Sequence, residues 1–388
     1  MFRILPLNAI SARGLARLPP DRYQVVPGIA EPHAVLVRSA DMHSMAIPPS
    51  LLAVARAGAG VNNIPVAALS KRGIPVFNAP GANANAVKEL VIAGLLLAAR
   101  HVCEAWSFVR GLELEGAALD EAVEGGKKRF VGYELPGRTL GVVGLGAVGV
   151  EVANAAHALG MHVLGYDPQI TVQRAWQLSS GVTQALSVED LFARSELVTL
   201  HVPAVAATRG LVNAARIKLL KPGAALLNFA RAEIVVEADV LSALDAGRLS
   251  AYVCDFPSAA NKRHPKVVAL PHLGASTGEA EENCAVMVAE TLRDFLENGS
   301  LRHSVNFPEA ILPRLPNTWR LAIANANVPN MVGQISTTLA GAGLNIADLL
   351  NKSRGEIAYT LIDTDAAVPE SVVEKLARIE GVLSVRLV

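Results

Sequence analysis

Two residues in this sequence stand where a sheet could present them for proton and charge chemistry. Arg231 follows the apolar run AALLNFA, and His272 follows VVALP. Histidine titrates near neutral pH and can pass a proton either way. Arginine can hold a carboxylate with two parallel hydrogen bonds and polarise a carbonyl. A third feature is the stretch LGVVGLGAVGVEVANAAHALG, which carries Gly144-x-Gly146-x-x-Gly149 between an apolar strand and a helix. Gly144 permits a tight turn, Gly146 lets the backbone approach a pyrophosphate, and Gly149 lets the helix pack close to the sheet. Ala147 and Val148 open that helix, whose first N–H groups face the phosphates. The next strand, HVLGYD, ends on Asp167, placed to bind both ribose hydroxyls. A carboxylate there repels a 2′-phosphate, so the pattern predicts NAD. A base, a cation and NAD together are the equipment for oxidising a hydroxy acid.

The elements that must position these groups follow from the apolar runs. FRILPL, AVLVRS, LLAVARAG and IPVFNAP read as strands, with VKELVIAGLLLAARHV as a helix packed on them. From about residue 139 to 275, TLGVVG, HVLGYD, LVTLHVP, AALLNFA, AYVCDF and VVALP repeat the strand–helix alternation of a parallel sheet. EENCAVMVAETLRDFLENG reads as an amphipathic helix with Cys284, Val288, Leu292 and Phe295 on one face and Asn298-Gly299 as its stop. After the proline-marked FPEAILPRLPNT, the last 70 or so residues have the strand–helix–strand–strand–helix–strand order of a ferredoxin-like unit.

A chain of 388 residues predicts two or three domains. The 51% hydrophobic content with only 4% aromatics suits an α/β protein with buried parallel strands. Charge is balanced at 35 basic and 35 acidic residues, which offers no argument for nucleic acid or an anionic membrane. The three cysteines are far apart and form no metal-like spacing, so reduced thiols in a cytoplasmic protein and no metal are expected. The N-terminal apolar run is too short for a signal peptide, and no apolar stretch is long enough to span a membrane.

The sequence resembles the D-isomer-specific 2-hydroxyacid dehydrogenases along nearly its whole length. The carrying segments are VRSADMH, KRGIPVFNAPGANANAVKELVIAGLLL, LGVVGLGAVG, HVPAVAAT, KPGAALLNFARAEIV, DFP, LPHLGASTGEAEENCA and VNFP. NANVPNMVGQISTTLAGAGLNIADL is similar to an ACT domain, a small module that binds amino acids at dimer interfaces. The resemblance implies two Rossmann-like or flavodoxin-like parallel-sheet domains plus a C-terminal ferredoxin-like domain. The expected division is 1–100 with 282–310 for substrate, 101–281 for NAD, and 318–388 for regulation.

The resemblance also implies roles, residue by residue. Arg231 and His272 would be catalytic. Val202, Pro203, Thr208, Ala230, Asp255 and Gly274 would join the glycine loop around the cofactor, with Asp255 near the nicotinamide carboxamide. His201 belongs to that loop too, although a satisfied strand-end histidine is the preferred reading. Arg38, Ser39, Gly60, Val61 and Asn78 would bind substrate, and Lys88 reads equally as a phosphate ligand or a solvated helix charge. Asn325, Asn327 and Asn345 correspond to polar positions that bind serine, against a tail that serves assembly only.

The implied activity is NAD-dependent oxidation of a small phosphorylated hydroxy acid, 3-phospho-D-glycerate, by a homodimer or homotetramer. The alternatives are another hydroxy acid, such as glycerate or glyoxylate, or an NAD-sensing binding protein. The main departure lies before His272: the glutamate usual about five residues after Asp255 is missing, and the shortened loop has alanine there. Either an acid from another segment replaces it, or His272 works unpaired, or Asp255 swings in, in that order of expectation.

Overall fold

The structure is a computed structural model that describes all residues, Met1–Val388. The chain forms two compact units, Met1–Ala82 with Gly278–Val388, and Asn83–Thr277. No helix is long and apolar enough to cross a membrane.

The second unit is built on seven parallel strands in the order Val267–Ala269, Leu249–Cys254, Ala224–Asn228, Leu197–Leu200, Thr139–Val143, His162–Tyr166, Val182–Gln184. Counted along the chain within the unit and read from the Val182–Gln184 edge, this is 3-2-1-4-5-6-7, a doubly wound sheet. Its order reverses beside Thr139–Val143, the strand that delivers Gly144. The strands are nearly continuous aliphatic runs because helices cover both faces. One of those helices is Ala84–Arg100, expected from the sequence to lie on the N-terminal strands. Instead Val87, Val91, Leu95, Ala98 and Ala99 share a core with Leu140, Val142, Leu227, Phe229 and Val253. Close approach explains the fit: a Cβ on Gly94 would lie 3.0 Å from the Phe229 ring. The break in the chain therefore falls at 82–83, before this helix, not at 100.

The first unit holds a five-stranded parallel sheet in the order Tyr23–Val25, Phe2–Leu7, Ala34–Val37, Ala53–Arg56, Val76–Phe77. That 2-1-3-4-5 order is flavodoxin-like. Helix Gly278–Asn298 packs on it, burying Cys284, Val288, Leu292 and Phe295 as the periodicity predicts, and Gly299 turns out of it at φ 73°.

The tail, within the same unit, is an antiparallel sheet in the order Ile346–Arg354, Ile357–Thr364, Trp319–Ala326, Val382–Leu387. Alternation along Trp319–Ala326 divides its two faces. Leu321 and Ile323 pack under helices Met331–Gly341 and Glu370–Ala377. Ala322 and Ala324 turn the other way, into the core of Phe77, Phe295 and Phe307. The tail is thus not a free bead on a linker: it completes the core of the first unit.

Candidate active site

In the second unit, three adjacent strands each deliver one functional group at the carboxyl end. Arg231 follows Ala224–Asn228, Asp255 follows Leu249–Cys254, and His272 follows Val267–Ala269. Parallel neighbours place such ends side by side.

Asp255 organises this edge and is buried. Its carbonyl accepts from the His272 N–H at 3.1 Å, and its Oδ2 accepts from the Gly274 N–H at 3.2 Å. Asp255 therefore grips the His272 turn on both sides of Leu273. His272 sits at φ 47°, an uncommon conformation for a non-glycine residue that persists only where surroundings enforce it. Burial raises the Asp255 carboxyl above its ordinary value, partly offset by the Gly274 N–H and the positive fields of His272 and Arg231. Its second oxygen, Oδ1, is buried without a partner. A buried acceptor left open calls for a donor.

The His272 ring is solvent-exposed and packs edge-on against Phe256, with centroids 5.2 Å apart and planes at 77°. No carboxylate of this unit forms an ion pair with it; its ring neighbour is Phe256. The acid expected from another segment does not pair with the His272 ring; the one in this loop network, Glu237, is bonded to Ser258 and Asn261 instead. Glu237, at the start of helix Glu237–Asp245, accepts from Ser258 Oγ at 3.0 Å and from Asn261 Nδ2 at 2.9 Å. Asn261, itself buried, also donates to the Phe256 carbonyl at 3.0 Å and accepts from Ser258 N–H. The shortened loop is thereby pinned, and Phe256 with it. Glu237→Ala is expected to lower kcat by about 5- to 100-fold through a displaced Phe256–His272 pair, leaving NADH affinity little changed. Steady-state kinetics with fluorescence titration of NADH checks this.

Arg231 is exposed, with Nη1 donating to the Ala230 carbonyl at 2.6 Å. Its turn is shaped by Asn228, fully buried, whose Nδ2 donates to the Arg231 carbonyl and whose Oδ1 accepts from Ala230 N–H. Asn228, Phe256, Ser258, Asn261 and Glu237 were not singled out from sequence. The N-x-A-R spacing was the available signal for Asn228; nothing local marks Glu237.

The glycine loop has the geometry its sequence predicts. Gly144 has φ 92°, and a Cβ on it would meet the His201 carbonyl oxygen at 2.7 Å. A Cβ on Gly149 would lie 1.9 Å from the Gly144 oxygen, so only glycine lets helix Ala147–Ala158 start there. At Gly146 a Cβ would meet nothing within 4 Å, which leaves open space before the helix N-terminus. Asp167 Oδ2 accepts from Leu145 N–H at 2.9 Å, so the carboxylate lies against the loop. Open space at Gly146, this carboxylate and the orphan Asp255 oxygen fit a dinucleotide's pyrophosphate, ribose and carboxamide in turn. Thr208 is turned onto its own loop, bonded to Val205 and the Pro203 carbonyl, while Val202 and Ala230 are half-buried against the core of the sheet.

His201 proves to be a satisfied strand-end residue. Its Nε2 pairs with Thr199 Oγ1 at 2.9 Å, and its N–H bonds Val143. Part of the residue reaches the surface, but burial of the ring pushes its pKa down to about 3. The folded chain therefore refuses a proton that the unfolded chain accepts near 6.5. The stability held above pH 6.5 drains away as pH falls toward 3, by at most about 1.4 kcal/mol per pH unit. His201→Gln should flatten that acid limb in denaturation curves taken at pH 7, 5 and 4.

In the first unit the predicted substrate residues also lie at carboxyl ends of strands. Arg38 and Ser39 follow Ala34–Val37, Gly60 and Val61 follow Ala53–Arg56, and Asn78 follows Val76–Phe77. Arg38 pairs with Glu281, and Asn78 Nδ2 donates to the Ala59 carbonyl at 2.6 Å, bracing the glycine turn. Arg56, missed from sequence, donates from Nε to the Arg38 carbonyl at 3.1 Å and lies over Gly58. Lys88 belongs to the second unit and bonds Asn85 on its own helix.

The three tail asparagines do not converge within one chain. Asn325 is buried, its Oδ1 accepting from Thr360 and its Nδ2 donating to the Ala326 carbonyl. Asn327 bonds Gly355. Asn325 pairs with Ala358, whereas Asn345 bonds Asp365 at the far end of the same strand. At ~3.4 Å per residue that separates them by roughly 20 Å.

Residues 92–274 match the family described as D-isomer specific 2-hydroxyacid dehydrogenase, NAD binding domain. Over 350 residues the chain is 33% identical to the D-3-phosphoglycerate dehydrogenase of Haemophilus influenzae, a match that covers 87% of this chain and 82% of that protein. The chain belongs to the D-isomer-specific 2-hydroxyacid dehydrogenases. The Escherichia coli K12 D-3-phosphoglycerate dehydrogenase is likewise 33% identical, with 84% of this chain and 79% of that protein covered. A solved NAD+-bound 3-phosphoglycerate dehydrogenase from Entamoeba histolytica aligns with TM-score 0.59 at 25% identity, over 78% of this chain and 98% of that one. In this dehydrogenase family NAD is the cofactor, and the glycine loop, Asp167 and Asp255 are the residues here that would hold it.

Proposed function

We propose that the chain oxidises 3-phospho-D-glycerate at C2 to 3-phosphohydroxypyruvate. The observation that carries this reading is the alignment of Arg231, Asp255 and His272 at three adjacent strand ends, in a chain one-third identical to phosphoglycerate dehydrogenases. Bound NAD supplies the hydride acceptor. His272 takes the C2 hydroxyl proton, and its exposed ring can pass it to solvent. Arg231 binds the substrate carboxylate and polarises the developing carbonyl. Asp255 holds the His272 turn in place. Arg38, supported by Arg56, Ser39 and the Gly60–Val61 turn, binds the substrate's phosphate or carboxylate.

A panel of keto acids with NADH tests the substrate. Turnover of 3-phosphohydroxypyruvate well above hydroxypyruvate and glyoxylate is expected. The reverse order would assign a glyoxylate or hydroxypyruvate reductase. That second reading draws on Arg38, whose charge is already engaged by Glu281.

We further propose that the chain acts in the cytoplasm as a homo-oligomer whose ACT-like tail binds serine or another small amino acid. Asn345 lies too far from Asn325 for one copy to offer both, so such a site needs a second chain. Serine titration during turnover, with sedimentation, checks both: a flat response in a monomer removes them.

A further inference from the structure

A cavity of about 490 Å³ lies inside the first unit, where the turn after helix Val66–Lys71 faces strand Val382–Leu387. Three cations line it, Lys71, Arg72 and Arg386, and no acid does. Arg386 is fixed by bonds to the Phe295 and Leu296 carbonyls and lies 4.2 Å over the Phe295 ring, with no carboxylate partner. Burial lowers its pKa, partly offset by the Tyr359 hydroxyl bonded to it. Arg72 is likewise held by the Ile47 and Pro48 carbonyls, while Lys71 is exposed and carries no ion pair. Leu51, Ile74 and Leu383 supply apolar wall.

We propose that this cavity binds a small organic oxyanion, a carboxylate or phosphate with a compact body, and that its occupancy ties the C-terminal sheet to the first sheet. Two cations held in place by backbone carbonyls, a third free to reach in and no acid in the lining favour an anion. The location separates it from the substrate residues. Leu51 and Leu52 precede strand Ala53–Arg56, and Ile74 precedes Val76–Phe77, so the cavity borders the amino ends of these strands. Gly60 and Asn78 lie at the carboxyl ends of the same strands. A ligand here would therefore act on the substrate sheet from behind, and the proposal does not depend on which hydroxy acid is oxidised.

The test uses the full chain with saturating NADH and calorimetric titration of citrate and of inorganic phosphate at constant ionic strength. Wild type and Arg231→Ala should bind one probe or both alike; which one distinguishes a carboxylate from a phosphate ligand. Lys71→Ala should weaken binding about tenfold, the scale of one lost charged contact, and Lys71→Arg should restore it. Lys71 is exposed, so these variants should unfold at the wild-type midpoint within about 1 °C. The proposal is overturned if neither probe binds wild type, if Lys71→Glu binds as wild type does, or if Arg231→Ala abolishes binding.

Discussion

His272→Ala should lower kcat by about 10²- to 10⁴-fold, the usual worth of a general acid–base, while NADH still binds within about threefold of wild type. The separation follows from the layout. The glycine loop and Asp167 lie at the ends of Thr139–Val143 and His162–Tyr166, away from the strand that carries His272. The imidazole is exposed and touches Phe256 by one edge, so its loss removes little packing. His272→Asn is the sharper variant, because asparagine tolerates the left-handed φ of 47° better than alanine. Its backbone N–H still reaches the Asp255 carbonyl, so Gly274 and the orphan Asp255 oxygen should stay where they are. Stopped-flow reduction of the keto acid, with NADH titration alongside, reads both quantities. If wild type and both variants are equally inactive yet all bind NADH, the chain is a dinucleotide sensor built on a dehydrogenase scaffold.

What could be read from the sequence follows from how local each signal is. The glycine loop is local: three glycines, a strand, a helix and a terminal acid carry their own geometry, and Gly144, Gly149 and Asp167 all sit as that geometry requires. Strand ends are nearly as local, which is why Arg231 and His272 could be named from apolar runs alone. The partner of His272 was not local. Within its unit the imidazole meets the Phe256 ring and no carboxylate, a contact that residue types alone do not announce. Glu237 braces the loop across about 20 residues of sequence, in bonds to Ser258 and Asn261. Helix Ala84–Arg100 shows a related limit. Its periodicity shows an apolar stripe but not which sheet receives it, and Gly94 against Phe229 reveals the choice only in three dimensions.

Arg320→Met should destabilise the first unit by about 3–5 kcal/mol, the cost of leaving a buried charge without its partner. In sequence Arg320 is one polar letter near the start of a strand, readable as a solvated edge. In the fold its side chain is completely buried. Nε and Nη2 grip both oxygens of Asp363, at 2.6 and 2.7 Å. The remaining donors reach the carbonyls of Asn298, Leu312 and Pro313. One guanidinium therefore joins the C-terminal sheet, the end of helix Gly278–Asn298 and the proline-marked linker. Lysine cannot substitute, because a single ammonium lacks the planar fork that meets the carboxylate and three carbonyls at once. Removing both charges, in Arg320→Met with Asp363→Leu, should recover part of the loss but not all. The ion pair itself is replaceable by apolar packing, whereas the three carbonyls still lose their donor. Urea denaturation of wild type, single and double variants measures the difference, and a single variant within about 1 kcal/mol of wild type would sink this account. The same experiment reports on the tail's place in the molecule. A domain merely tethered by its linker would unfold in a separate, earlier step in Arg320→Met, whereas a sheet that shares its core with Phe77, Phe295 and Phe307 should take the first unit down with it.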